Sequence, residues 1–209
     1  TNYNIGIGYA AGGAITTGVN NVLVGGLAGD SLTDADDNVV VGYAALSADQ
    51  LGSRNTAVGR GTLSNQAFTT ATQSYNTAVG YQAGGAITTG TQNTAIGGLA
   101  LDAATTGAAN VALGYQALSA DTKGQNNTAV GHNALATQNL TTATNSYNTA
   151  VGSQAGLVIS TGVQNTLIGG LSGDGITTGG GNTIIGYNNA APAVGNNFSI
   201  IMGTGVTGV

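Results

Sequence analysis

The pattern of apolar and polar positions has one dominant feature, a five-residue phrase of the form Asn-Thr-Ala-Val-Gly that returns along the whole chain. Its copies start at Asn4, Asn21, Asn38, Asn55, Asn76, Asn93, Asn110, Asn127, Asn148, Asn165 and Asn182, and a degenerate copy runs from Ser199 to Gly203. Successive starts are separated by 17 residues, except for two steps of 21 that begin at Asn55 and Asn127. A period this regular describes a stack of equivalent turns, each burying its apolar side only against its neighbours. Alternation within the phrase predicts a short strand whose second and fourth residues share one face and whose first, third and fifth share the other.

The fourth position reads Ile7, Val24, Val41, Val58, Val79, Ile96, Leu113, Val130, Val151, Ile168, Ile185 and Met202, apolar without exception. It is therefore expected to point into the core. The third position is alanine through the middle and Leu23, Val40, Leu167, Ile184 or Ile201 towards the ends. A water-facing strand would be polar there, so both faces are expected to be covered, one inside the coil and the other by a partner surface, most simply a second copy. Alanine then recurs three places beyond the glycine, and further glycines near the next corner, which predicts strand, corner, short second strand and corner in each lap. The prediction is an all-β parallel β-solenoid, or β-roll, of about twelve coils of 17 to 21 residues, forming one domain over residues 1–209.

A longer period of 72 residues overlies this one, giving blocks at 4–75, 76–147 and 148–209. Asp30, Asp102 and Asp174 repeat at that spacing, as do Asp49 and Asp121. The extra four residues fall in matched inserts, Asn65 to Tyr75 and Ala136 to Tyr147, expected to project as loops from one edge.

Composition narrows the functional classes. Charged residues make up 5 % of the chain, against roughly 25 % in an ordinary soluble protein. The basic residues are Arg54, Arg60 and Lys123, set against eight aspartates and no glutamate, for a net charge of −5. That balance neutralises no phosphate backbone and reads against nucleic acid. There is no cysteine, hence no disulfide or thiolate metal site, and no apolar run of the length that crosses a bilayer as a helix. The chain starts at Thr1 without Met or a signal peptide, which reads as a processed product or the ordered part of something longer.

The phrase resembles the Asn-Ser-Val-Ala-Ile-Gly repeat in the heads of trimeric autotransporter adhesins. It is still more similar to the repeat regions of phage tail-fibre proteins that precede a self-cleaving intramolecular chaperone. The resemblance spans Asn4 to Gly203 and implies a left-handed β-roll assembled as a homotrimer, extracellular, on a cell surface or on a virion. The adhesin repeat is nearer fourteen residues, so the coils here depart from it in cross-section, and no chaperone domain is present.

Candidate chemistry is sparse. His132, the one histidine, stands in a column of Tyr, Gly and Arg with no evident orienting partner and reads as a surface corner residue. Aspartates a whole coil apart make no glycosidase pair. Asp30, Asp34, Asp36 and Asp37 could offer oxygen ligands to Ca²⁺, but the turns around Asp102 and Asp174 lack the extra carboxylates. Residues Gly203 to Gly208 match the dinucleotide fingerprint letter for letter without a helix to follow, a chance match in a glycine-rich tail. No enzyme activity, cofactor or metal is expected. Tyr9, Tyr43, Tyr81, Tyr115 and Tyr187 share a column and are the candidate receptor or glycan contacts, although tyrosine covering a neighbouring strand's glycine is the structural alternative. Threonine pairs at 16–17, 88–89, 105–106 and 177–178 raise ice binding as a rival, with the array broken in several coils. Sequons at Asn126, Asn139 and Asn197 matter only in a eukaryotic secretory pathway. The expected function is a structural fibre, filament or adhesin, with a glycan-binding or ice-binding module as alternative. Apolar residues in the first and last coils are expected to be covered by neighbouring domains or by head-to-tail stacking.

Overall fold

The computed structural model describes residues 2–190, 195 and 197–205. Among them there is no helix, and twelve three-residue strands form one parallel sheet in sequence order. These are Ile5–Ile7 (β1), Val22–Val24 (β2), Val39–Val41 (β3), Thr56–Val58 (β5), Thr77–Val79 (β7), Thr94–Ile96 (β8), Val111–Leu113 (β9), Thr128–Val130 (β11), Thr149–Val151 (β13), Thr166–Ile168 (β14), Thr183–Ile185 (β15) and Ile200–Met202 (β16). Equivalent residues pair throughout, Thr77 with Thr94 and Val79 with Ile96, for example. The chain is a parallel β-solenoid of about eleven turns. At ~4.8 Å per strand the sheet is about 53 Å tall.

The polarity of the strands is the reverse of the sequence expectation. The third position is the buried one: Leu23, Val40, Ala57, Ala78, Ala95, Ala112, Ala129, Ala150, Leu167 and Ile184 are all at most 1 % exposed. The fourth position faces outward: Val58, Val79 and Val130 are half-buried, while Leu113, Val151, Ile168 and Met202 are exposed. The physical reason lies in the first position, which shares the inward face with the third. Every Asn from Asn21 to Asn182 that opens a phrase is essentially sealed from solvent. A column of amides settles there because each member is satisfied by its neighbours. Asn93 Oδ1 accepts from the Asn110 backbone N–H at 3.1 Å, and Asn93 Nδ2 donates to the Gly107 carbonyl at 2.9 Å. The same pair of bonds repeats at Asn38, Asn110, Asn148 and Asn165. Buried amides left unpaired would cost more than buried aliphatics gain, so the ladder decides which face turns inward.

The return path also differs from expectation. Among the described residues a second strand occurs only beside the inserts, where Gly52–Ser53 (β4) pairs with Thr72–Gln73 (β6), and Gly124–Gln125 (β10) with Thr144–Asn145 (β12). Elsewhere the chain runs through turns that interrupt extended geometry with left-handed residues such as Leu46, Leu63, Leu101 and Leu118 (φ between 49° and 54° for Leu46, Leu101 and Leu118). Those leucines fill the core. Where the corner is instead glycine, at Gly12, Gly29, Gly84, Gly156 and Gly173, a large aliphatic stands three residues on, at Ile15, Leu32, Ile87, Ile159 and Ile176. A Cβ on Gly12 would lie 2.6 Å from Leu23 Cδ1 and 3.1 Å from Ile15 Cδ1. One large side chain therefore occupies this level of each turn, and it enters from either of two positions, which conserves core volume.

The inserts are anchored rather than free. Phe68 and Leu140 are buried at their bases, while residues 69–71 and 141–143 are exposed tips. Asp49 and Asp121 hold them. Asp121 Oδ1 accepts from the Gly124 and Leu140 backbone N–H groups at 3.1 and 3.0 Å, and Gln138 Nε2 donates to Oδ2 at 2.6 Å. Asp49 makes the matching set with Gly52, Phe68 and Gln66.

Two predictions follow from this interior. Asn93→Ala orphans the Gly107 carbonyl and the Asn110 N–H, and should cost about 2–4 kcal/mol in denaturant unfolding; a change below about 0.5 kcal/mol would contradict the ladder. Gly97 and Gly98 provide a matched pair. Gly97 has φ +129° and a Cβ there would meet the Gly114 carbonyl oxygen at 2.5 Å, whereas a Cβ on Gly98 meets only a Tyr115 ring carbon at 3.5 Å. Gly97→Ala should lower Tm by far more than Gly98→Ala, and equal shifts would contradict direct coil-on-coil stacking.

Candidate receptor-facing surface

Alternation along each strand puts the second and fourth residues on the outer face, and the residues just before the Asn and just after the corner glycine form its two rims. The later rim is the tyrosine column. Tyr9, Tyr43, Tyr81, Tyr115 and Tyr187 are all about half exposed or more. They do not form one strip. The rings of Tyr43, Tyr115 and Tyr187 lie over the glycines of the preceding turn, each with a ring carbon 3.5 Å from where a Cβ of Gly26, Gly98 or Gly170 would be. These three cover bare backbone, the structural alternative named above.

The sequence reading missed what stands between them. Arg60 occupies the same column, and its guanidinium lies 5.8 Å from the ring centroids of both Tyr43 and Tyr81. Each such contact contributes about 0.5–1 kcal/mol at an exposed site. One block further on, His132 stacks on Tyr115 with centroids 5.9 Å apart and planes 10° from parallel. The signal was present as a cation in an aromatic column, but only stacking geometry gives it a meaning. The opposite rim holds a second missed cluster. There Arg54 meets Asp37 at 3.7 Å, donates to Gln73 Oε1 at 2.7 Å and lies over the Tyr75 ring.

The remaining candidates are placed as follows. Asp34, Asp36 and Asp37 border one groove, but their carboxylates accept from the Thr17 hydroxyl, the Val19 N–H and Asn20 Nδ2 respectively. No group of three acidic or histidine residues is arranged to hold a metal among the described residues. The hydroxyls of Thr16, Thr88 and Thr105 donate to carbonyls of the next turn at 3.0–3.2 Å, and Thr17 is engaged as well through Asp34, so these members of the threonine pairs are taken up by inter-coil bonds. No described helix is long and apolar enough to cross a membrane. The fingerprint match at Gly203 to Gly208 ends outside the described residues.

Two period mates differ from the other carboxylates: Asp30 Oδ1 and Asp102 Oδ1 are both buried with no hydrogen-bond partner. At Asp102 burial also raises the pKa above its ordinary value. Asp102 borders a depression of about 200 Å³ with Ser64, Asn65, Gln82, Gly85 and Ala86. An adjoining depression of about 130 Å³ is lined by Tyr43, Ala44, Arg60, Gly61, and again Ser64 and Gln82.

A raised folded-state pKa means that Asp102 opposes folding once ionised, and that this penalty is absent at pH values below its unfolded pKa. Asp102→Asn should therefore stabilise the chain at pH 7, with the gain fading as pH falls through the folded-state pKa and then towards the ordinary carboxyl range near 4. Thermal unfolding of both proteins across pH 3–7 checks the sign, and a variant less stable at pH 7 than at pH 3, relative to the parent, would contradict it. No protein family, curated protein or solved structure matches this chain.

Proposed function

We propose that this chain is a non-enzymatic structural fibre or filament protein, of the kind found in phage tail fibres and bacterial surface adhesins, working outside the cell or on a virion. The observation that carries the reading is the outer face of the twelve-stranded sheet. Its fourth-position column is wholly apolar, its second position is Val, Ile or Thr, and no described residue covers it. About 53 Å tall and about 20 Å between rims, it amounts to on the order of 1,000 Å². Monomeric soluble proteins seldom leave more than ~300–600 Å² of contiguous apolar surface open. Shared between two neighbours in a homotrimer, the face gives each contact on the order of 1,000 Å² in total, enough for a specific interface.

In this reading the rod is stiff because each turn is clamped to the next by backbone ladders and the asparagine column. The anchored inserts at 69–71 and 141–143 and the tyrosine rim then meet a receptor. Head-to-tail contact between rods is the longitudinal form of the same self-association.

Light scattering coupled to size exclusion tests it. The assembled protein should have three times the 20.2 kDa chain mass. Val130→Lys, placed on the outer face, should reduce it to the single-chain mass without unfolding, judged by circular dichroism. A monodisperse 20.2 kDa parent would overturn lateral assembly.

A further inference from the structure

We infer that the two adjoining depressions between Tyr43 and Asp102 form one groove that binds an acidic saccharide, its carboxylate on Arg60 and its hydroxyls towards Asp102. The inference rests on the receptor-facing reading above and names the ligand class for one part of that surface.

Four observations meet here. The Arg60 guanidinium lies between two tyrosine rings, 5.8 Å from each centroid, and no described side chain makes a hydrogen bond or ion pair with it. Its in-plane N–H fork is thereby left for a planar anion, and carboxylate is the geometry a guanidinium matches best. At the other end Asp102 lines the groove, and its carboxylate accepts from hydroxyl groups of a ligand; its Oδ1 has no donor within the chain, a feature shared with its period mate Asp30. Between them Gln82 and Ser64 line both depressions, and Asn65 lines the one that Asp102 borders. From Tyr43 to Asp102 is three turns, about 14 Å along the axis, a length suited to a short oligosaccharide. The combined space reaches the lower end of the ~300–1,000 Å³ of ligand sites.

The molecule contains its own comparison. Seventy-two residues on, Arg60 becomes His132, Tyr81 becomes Ser153, Ser64 becomes Ala136, Gly85 becomes Leu157 and Ala86 becomes Val158. The clamp there has lost its second ring, its arginine is replaced by histidine, and Leu157 and Val158 stand where Gly85 and Ala86 leave the floor open, while Gln154 and Asp174 match Gln82 and Asp102. The backbone is retained: Gly85 N–H donates to the Gln82 carbonyl at 3.1 Å and Leu157 N–H to the Gln154 carbonyl at 3.2 Å. The fold thus needs neither the arginine between two rings nor the open floor, which occur where the first block meets the second and are absent where the second meets the third. Because the lining residues follow the corner glycine, the groove lies beside the sheet and stays open when the sheet face is covered.

Titration calorimetry with trigalacturonate and 3′-sialyllactose as carboxylated probes, and lactose as the neutral one, tests the assignment. The parent should bind a carboxylated probe with Kd of about 1 mM or tighter and should not bind lactose, and added salt should weaken the complex. Arg60→Gln should lose at least about tenfold in affinity. Gly85→Leu, which imports the side chain that the same backbone carries at Leu157, should lose as much by filling the floor. His132→Gln should change nothing. The assignment falls if neither carboxylated probe binds at about 10 mM, if lactose binds equally well, or if either groove variant keeps parental affinity. The mass of each sample is recorded alongside. A trimer that binds no probe overturns the groove and leaves the assembly; a monomer that binds overturns the assembly and leaves the groove.

Discussion

A row of asparagine side chains running up the inside of the coil sets everything else. Each amide from Asn21 to Asn165 accepts from the next turn's backbone, and its Nδ2 donates to a corner carbonyl or, at Asn55 and Asn127 beside the inserts, to Oδ1 of the preceding asparagine, so the buried polar residue of each of these laps is satisfied. The row fixes register, because a one-residue slip would carry the amides to the outer face and leave the corner carbonyls orphaned. It also limits the cross-section: alanine stands beside it in the middle turns, and Leu23 and Leu167 occur where the corner is Gly29 or Gly173. The corner glycines complete the constraint by letting consecutive turns lie directly on one another.

Two consequences reach the surface. The inward side being amide and alanine, the branched aliphatics of the fourth position are forced outward, where they make an open sheet face that a single chain has no means to bury. The turns that close each lap rely on left-handed residues, so side chains there are displayed in fixed columns one strand spacing apart. Stacking of Tyr43, Arg60 and Tyr81 follows from that spacing alone. Between the two 72-residue copies one corner carries Arg60 and an open floor at Gly85 while its twin carries His132 and Leu157, with the aspartate cages of Asp49 and Asp121 keeping both inserts in place.

Repeat length, the parallel stack, the strand positions and the matched inserts were all legible in the sequence, because a period states that equivalent residues occupy equivalent places. The direction of the strand was not. An unbroken column such as Val58, Val79 and Val130 reads as core, and an alanine column reads as a seam, when each is weighed by hydrophobicity alone. What reverses the reading is the company of Asn76 and Asn93, whose burial becomes favourable only once their partners in the next turn are known. The tyrosine column was legible as a surface column, but its division into glycine covers and an arginine clamp depends on which way each ring leans. Asp30 and Asp102 were legible only as period mates, since the unpartnered buried oxygen each carries has no signature in composition.

The account stands or falls on which face of the strand is inside, and a pair of enlargements on β9 reads that most directly. Ala112 faces inward at a level already filled by Leu101 and Leu118, while Val111 faces outward. Differential scanning calorimetry of Ala112→Leu and Val111→Leu should show the first losing several degrees, as overpacking costing ~1–3 kcal/mol would require, and the second close to the parent. The opposite order, with Val111→Leu the damaging change and Ala112→Leu tolerated, would place the aliphatic column inside and contradict it.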